Sequence, residues 1–157
     1  MHAALRILGL RDHSRRELQR KLETRGFEAE AIQTVLEECQ RLNYVDDRRY
    51  ALQLARHLRR KGYGTHRIQH NLKNKGVAPH LITGVIQAEC SEDDQISDCR
   101  QALRKKLRQE GGGRVLPENR SRVYRFLFQR GFPAEVIRNV MNETSMTIDY
   151  NLSQNNL

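Results

Sequence analysis

One pattern of nineteen residues decides the fold of this chain, and its first copy is LQRKLETRGFEAEAIQTVL at residues 18–36. The same arrangement of apolar side chains around a basic residue and a glycine returns as IQHNLKNKGVAPHLITGVI at residues 68–86 and as VYRFLFQRGFPAEVIRNVM at residues 123–141. Three copies with the same internal spacing indicate a tandem structural repeat.

The spacing within each copy predicts two short helices joined at the glycine. Apolar residues four apart form one face of a helix, the basic residue suits the negative end of its dipole, and the glycine supplies a positive φ that ends it. In the first copy Ile32, Val35 and Leu36 then follow helical spacing again. The residue after each glycine is expected to pack between the two helices; these residues are Phe27, Val77 and Phe132.

A third helix is expected in front of each pair. In the second copy it begins at Asp46 or Asp47, and its apolar stripe includes Tyr50 and Leu54. In the first copy Ser14 and Glu17 have the spacing of a capping box at the start of the second helix.

The predicted fold class is therefore all-α, with three tandem three-helix repeats in an elongated, curved array. The boundaries are residues 1–44, 45–92 and 93–144, followed by a polar, flexible tail at 145–157. A repeat of about 50 residues has too small a core to stand alone, so neighbouring repeats must pack on each other.

The net charge of +9 lies in the middle of the chain. Residues 1–47 hold eight basic and nine acidic side chains, residues 48–88 hold nine and none, and residues 89–157 hold eleven and ten. A stretch of one sign attracts a polyanion or an acidic protein surface. With Tyr63, the central cations make up the candidate binding residues: Arg48, Arg49, Arg56, Arg59, Arg60, Lys61, Tyr63, Arg67, Lys73 and Lys75.

No motif points to an enzyme, a metal or a cofactor. The chain has no phosphate-binding GxxxxGK[ST] loop, and Gly111–Gly113 are interpreted as a flexible connection. His66 and His70 are four apart, but Arg67 stands where a zinc protease has glutamate. Three scattered cysteines and the lack of a signal or membrane-spanning segment predict a cytoplasmic protein without disulfides.

Three ordered blocks of sequence resemble the RecX family of regulatory proteins. They are Arg11-Asp12-His13-Ser14-x2-Glu17-Leu18, Asn43-Tyr44-Val45-Asp46-Asp47-x2-Tyr50-Ala51 and Arg60-Lys61-Gly62-Tyr63-Gly64-x2-Arg67-Ile68. The resemblance implies an all-helical protein that binds the RecA recombinase and its DNA filament. It also implies inhibition of filament growth, strand exchange, ATP hydrolysis and coprotease activity in the SOS response.

Under this interpretation the central cations meet DNA phosphates or acidic RecA side chains. The expected partners are RecA, its filament and DNA, single-stranded more than duplex and without sequence preference, bound by a monomer. Tyr63, between two glycines, either stacks on a base while the glycine amides approach a phosphate, or packs back on the helices.

The alternative hypothesis is a helix-turn-helix or non-specific DNA-binding protein without a RecA target. Each repeat has apolar and glycine positions that suit a helix-turn-helix. In such a motif the helix after the glycine would read the bases. In the first repeat, however, the outward positions of that helix are acidic or neutral: Glu28, Glu30, Gln33 and Thr34. A helix that reads bases normally carries arginine or asparagine there.

Overall fold

The computed structural model describes residues 1–109 and 114–154, with side chains through residue 144. Gly111–Gly113 and residues 155–157 lie outside the described residues. The described parts of the chain contain nine α-helices and no strand. The helices are α1 His2–Leu8, α2 Arg15–Glu23, α3 Ala29–Arg41, α4 Asp47–Arg60, α5 Thr65–Asn74, α6 Pro79–Glu89, α7 Glu92–Gln109, α8 Pro117–Gln129 and α9 Ala134–Gln154.

The nine helices confirm the predicted all-α fold of three three-helix repeats. Each second helix is followed by a glycine in the left-handed region, with φ of 79° at Gly26, 76° at Gly76 and 88° at Gly131. After each glycine, the next amide donates to a carbonyl five residues back in the helix: Phe27 to Leu22, Val77 to Leu72 and Phe132 to Leu127. This bond satisfies a carbonyl at the helix end and turns the chain into the third helix.

The packing of the residue after each glycine was predicted correctly at two of three positions. Val77 and Phe132 are buried, at 4% and 1% exposure, but Phe27 is 47% exposed. The prediction for Phe27 is wrong, because the buried cluster of the first repeat forms without its ring. Phe27 instead lines a surface hollow with Ala31 and Val35.

The chain forms two compact units whose boundaries run through the second repeat. One unit contains Met1–Arg56 with Gln69–Glu89, and the other contains His57–Ile68 with the described part of Cys90–Leu157. The boundaries therefore cross α4 after Arg56 and α5 after Ile68. Helix α9 continues to Gln154, so the backbone of the predicted tail is helical as far as that residue.

In the first unit, the glycine corner of the second repeat lies against the start of α2. The Ser14 hydroxyl donates to the Lys75 carbonyl at 2.5 Å and also accepts the Glu17 amide, which confirms the capping box. A Cβ added to Gly76 would stand 2.1 Å from Cδ of Arg16. The two repeats approach so closely that only a glycine fits at this corner.

The second unit has the same junction at the equivalent repeat positions. The Gly64 amide donates to the Arg130 carbonyl at 2.9 Å, and the His66 amide donates to the Gly131 carbonyl at 3.0 Å. A Cβ on Gly64 would lie 2.5 Å from the carbonyl carbon and oxygen of Gly131. Here the start of α5 and the corner between α8 and α9 meet main chain to main chain.

Glu17 joins the first junction through its carboxylate. It accepts hydrogen bonds from Lys75 Nζ at 2.6 Å, from the Tyr50 hydroxyl at 2.8 Å and from Arg11 at 3.2 Å. Burial disfavours the charged carboxylate, but the bonds from Arg11, Lys75 and Tyr50 outweigh it and lower the pKa of Glu17 to about 2. The carboxylate therefore stays ionised and holds two repeats together.

We expect Gly64→Ala to destabilise the protein by about 2 kcal/mol, because the added methyl group collides with rigid main chain of the α8–α9 corner. The matched control is Gly84→Ala in α6, where an added Cβ meets no atom within 4 Å. That change should stabilise the helix by about 1 kcal/mol. Urea unfolding followed by circular dichroism measures both. Equal stability of the Gly64→Ala variant and the parent protein would contradict the close junction.

We expect Glu17→Gln to lower the free energy of unfolding at pH 7 by about 2 to 3 kcal/mol. Because the folded pKa of about 2 lies below the usual 4.5, the unfolded chain takes up the proton first as the pH falls. The stabilisation by Glu17 is thus complete above pH 4.5 and declines towards pH 2. Unfolding at pH 7 and pH 3 should show the gap between parent and variant narrowing, whereas a constant gap would rule out the ionised network. Glu30→Gln, on the exposed side of α3, controls for the loss of one carboxylate.

Candidate functional site

Carboxylates from outside the central stretch neutralise part of its positive charge. Arg56 forms a two-bond ion pair with Glu89, at 2.7 and 2.8 Å. Lys75 pairs with Glu17 at 2.6 Å. Both pairs lie within the first unit, and both acids come from sequence beyond residues 48–88. Although residues 48–88 contain no acidic residue, acidic side chains from other parts of the chain therefore lie next to these cations in the folded protein.

Arg59 is held in the same way within the second unit. Its guanidinium lies 2.6 Å from the carboxylate of Asp98 and 2.9 Å from that of Asp94, both on α7. Its side chain is 21% exposed. This arginine therefore ties the end of α4 to α7.

The other predicted binding residues are distributed over both units. Arg49 is exposed and donates to the Asn43 carbonyl at 3.1 Å. Arg67 is exposed and lies over the ring of Tyr63. The remaining cations of the set all have exposed side chains: Arg48, Arg60, Lys61 and Lys73. Of these, Arg60 and Lys61 belong to the second unit.

Tyr63 is half-buried among cations. The guanidinium carbons of Arg67 and Arg130 lie 5.7 and 5.4 Å from its ring centroid. Of the two alternatives for Tyr63, the one in which the flanking glycine amides approach a phosphate is contradicted, because both amides donate within the protein. Gly62 donates to the Arg59 carbonyl at 2.7 Å, and Gly64 donates to Arg130.

Arg130 extends these contacts into a ladder of alternating cations and aromatic rings. Its guanidinium lies 4.8 Å from the ring centroid of Phe126, and Lys106 Nζ lies 5.1 Å from the same centroid. Arg130 also donates to the carbonyls of Lys61 and Gly62, at 2.9 and 3.2 Å. Together these contacts hold the Arg130 guanidinium in one position. Arg130 is also one of the residues that line a neighbouring groove.

This groove is the strongest candidate site, and it lies wholly within the second unit. It has a volume of about 690 Å³ and twelve lining residues, of which seven are basic. Arg60 and Lys61 come from the end of α4, and Arg130 comes from the end of α8. Helix α7 supplies the other four: Arg104, Lys105, Lys106 and Arg108. No carboxylate lines the groove in the described part of the chain, so it suits a phosphate backbone.

The sequence prediction included Arg60 and Lys61 but missed the five cations from the third repeat. Residues 99–130 hold ten basic and two acidic side chains, a net charge of +8. Counted together, residues 89–157 are almost neutral, because the acidic residues at the start of α7 offset the basic residues that follow. A shorter window would have found Arg104 to Arg108.

Other kinds of site find no support in the described residues. No group of three His, Cys, Asp or Glu side chains within residues 1–109 and 114–144 is arranged to hold a metal ion. Cys39, Cys90 and Cys99 are free thiols and are buried. None of the described helices is long and apolar enough to span a bilayer.

We expect Arg130→Lys to destabilise the protein by about 1 to 2 kcal/mol although the charge is kept. Lysine cannot donate to both carbonyls while lying over two rings, because its ammonium is a compact charge rather than a planar fork. Arg104→Lys, at an exposed position of α7, is the matched control and should stay within about 0.5 kcal/mol of the parent protein. Thermal unfolding compares the variants. Equal stability of both would show that the ladder contributes nothing to the fold.

Models of the three RecX domains match this chain in order. The first three-helix domain matches residues 1–39, the second matches residues 46–86 and the third matches residues 92–141. A protein named Regulatory protein RecX from Legionella pneumophila (strain Corby) is 36% identical over 141 residues, covering 90% of this chain and 91% of that protein. Another of that name, from Pelodictyon phaeoclathratiforme, is 35% identical over 144 residues, covering 90% and 86%.

Solved structures share the fold. The crystal structure of RecX from Lactobacillus salivarius superposes with a TM-score of 0.81 at 18% identity, covering 92% of this chain and 94% of that one. A second crystal structure, of regulatory protein RecX, gives a TM-score of 0.76 at 18% identity, covering 88% and 68%.

Proposed function

Because this chain belongs to the RecX family of regulatory proteins, we propose that it is a negative modulator of the RecA recombinase. It binds RecA and the RecA–DNA filament in the helical groove of the filament, and it acts there without catalysing a reaction. The observation that carries the proposal is the cationic groove of the second unit, with seven basic and no acidic residues among its described lining.

The cationic groove of this protein supplies the contact with DNA. Its cations bind phosphates of the filament's DNA and release counterions, a contact that needs no particular base sequence. Single strands are preferred over duplex, since a flexible strand can fit its phosphates to the cations of the groove more readily than a stiff duplex can. The protein acts as a monomer in the cytoplasm, and its surface cations also meet acidic side chains of RecA.

Inhibition follows from occupying the filament. Filament growth, strand exchange, ATP hydrolysis and coprotease activity all depend on RecA protomers assembled on DNA. A protein that lies on this DNA and on neighbouring protomers blocks entry of a second strand and addition of further protomers. One bound molecule therefore restrains several activities.

The helix-turn-helix alternative is disfavoured by the exposed surface of α3. Its side chains at Glu30, Gln33, Thr34 and Glu37 are acidic or neutral, and Glu30 and Gln33 are exposed. Like charges repel DNA phosphates, so this helix does not suit the major groove.

The test is RecA ATP hydrolysis on single-stranded DNA with a sub-stoichiometric amount of this protein. The parent protein should lower the rate, whereas Arg60→Glu with Lys61→Glu should need at least about tenfold more protein for the same effect. These two residues are suitable because their exposed side chains line the groove, whereas Arg56 and Arg59 form internal ion pairs.

The matched control is Arg6→Glu with Arg20→Glu, an equal charge change at exposed positions of α1 and α2. It should inhibit like the parent protein, and circular dichroism should show equal helicity in all three proteins. Full inhibition by the groove variant would contradict the proposal. No inhibition by the parent protein would favour a DNA-binding protein without a RecA target.

A further inference from the structure

Helix α8 carries a row of side chains that the cationic groove does not include. Arg120, Tyr124 and Phe128 are spaced four residues apart and therefore lie on one side of the helix. The Tyr124 and Phe128 rings are nearly parallel, with 6.2 Å between centroids and an interplanar angle of 12°. Phe128 is 55% exposed. Phe128 is therefore not an isolated exposed ring but one of a parallel pair of aromatic side chains.

The rings lie beside a shallow depression with a basic lining. It has a volume of about 410 Å³, and Arg120, Arg125 and Arg138 contribute to its walls. Among the described residues, none that line it carries a carboxylate. Arg120 is held in place by its bond to the Asn142 side-chain oxygen at 2.9 Å. The surface thus combines aromatic rings with three positive charges.

From this arrangement we propose that the α8 surface, defined by Arg120, Tyr124, Arg125, Phe128 and Arg138, is a stacking site for the bases of single-stranded DNA. An exposed ring binds any base through its π-face, while neighbouring arginines bind the phosphates on either side. In a duplex the bases are stacked on one another inside the helix, so no base is free to stack on Phe128.

Charge and shape favour this ligand over a protein segment. An apolar helix would leave three arginines facing an uncharged surface, and an acidic peptide would pair with the arginines but leave the rings in water. A single strand satisfies both, because each nucleotide carries a flat base that can stack on a ring and a negatively charged phosphate that can pair with an arginine.

The inference rests on the DNA-binding part of the proposed function and names the part of the ligand that this surface recognises. It requires neither RecA nor the filament. It therefore predicts that the isolated protein contacts bases, whereas the cationic groove contacts phosphates alone.

The chain has no tryptophan, so Phe128→Trp introduces a single fluorescent reporter at the site. Titration with an oligodeoxythymidine of about 20 nucleotides should quench this fluorescence, because a stacked base is in direct contact with the indole. The matched control is Phe27→Trp, at an exposed aromatic position of the first unit. Its fluorescence should stay unchanged over the same titration.

Three further titrations separate stacking from charge. A duplex of equal length, inorganic polyphosphate and an oligoglutamate should each leave the indole fluorescence of the Phe128→Trp variant largely unquenched. Quenching by polyphosphate or oligoglutamate equal to that by oligodeoxythymidine would overturn the proposal, since neither carries a base. Binding of oligodeoxythymidine without quenching would overturn it too, and would leave the cationic groove as the DNA contact.

Substitutions in the otherwise unlabelled protein give an independent measurement. Phe128→Leu keeps an apolar side chain and removes the ring, so affinity for oligodeoxythymidine should fall by about 5-fold to 100-fold. The dependence of affinity on salt should not change, because no phosphate contact is lost. Arg125→Gln should instead make the slope of log affinity against log salt shallower by about 0.7. Unchanged affinity in Phe128→Leu, with helicity preserved, would contradict base stacking.

Discussion

The structure depends on one contact that occurs twice, between the glycine corner of one repeat and the start of the second helix in the preceding repeat. In both junctions the carbonyl of the basic residue before the glycine accepts a bond, from Ser14 to Lys75 and from Gly64 to Arg130. A side chain at Gly76 would collide with the preceding repeat. A three-helix repeat has a small core, so this contact between repeats adds to the stability that the buried cluster within a repeat supplies.

The junctions also explain why the compact units differ from the sequence repeats. Each unit contains one junction and is built from parts of two repeats, so its boundary passes through α4 and α5. The basic residue before the glycine has two roles. It suits the end of its own helix, and in Lys75 and Arg130 its side chain also binds the preceding repeat.

The same contacts decide where positive charge remains available. Ion pairs with Glu17, Glu89 and the acidic start of α7 occupy Lys75, Arg56 and Arg59. The cations that line the groove come instead from the ends of α4 and α8 and from α7. Arg130 links structure to function here, since it closes the junction, supports the ladder of rings and lines the groove.

The sequence by itself determined the helices, their order, the left-handed glycines and the RecX family, because helical period and glycine conformation are local properties of the chain. It also predicted Arg60 and Lys61, which line the cationic groove, as binding residues. It did not determine that Phe27 is exposed, since this depends on which side chains form the buried cluster of the first repeat. Nor did it reveal the α7 side of the groove or the α8 surface. A shorter window shows the α7 cations in the sequence, but only the tertiary structure decided that they line one groove with Arg60, Lys61 and Arg130, because packing brings together side chains that lie far apart in the sequence.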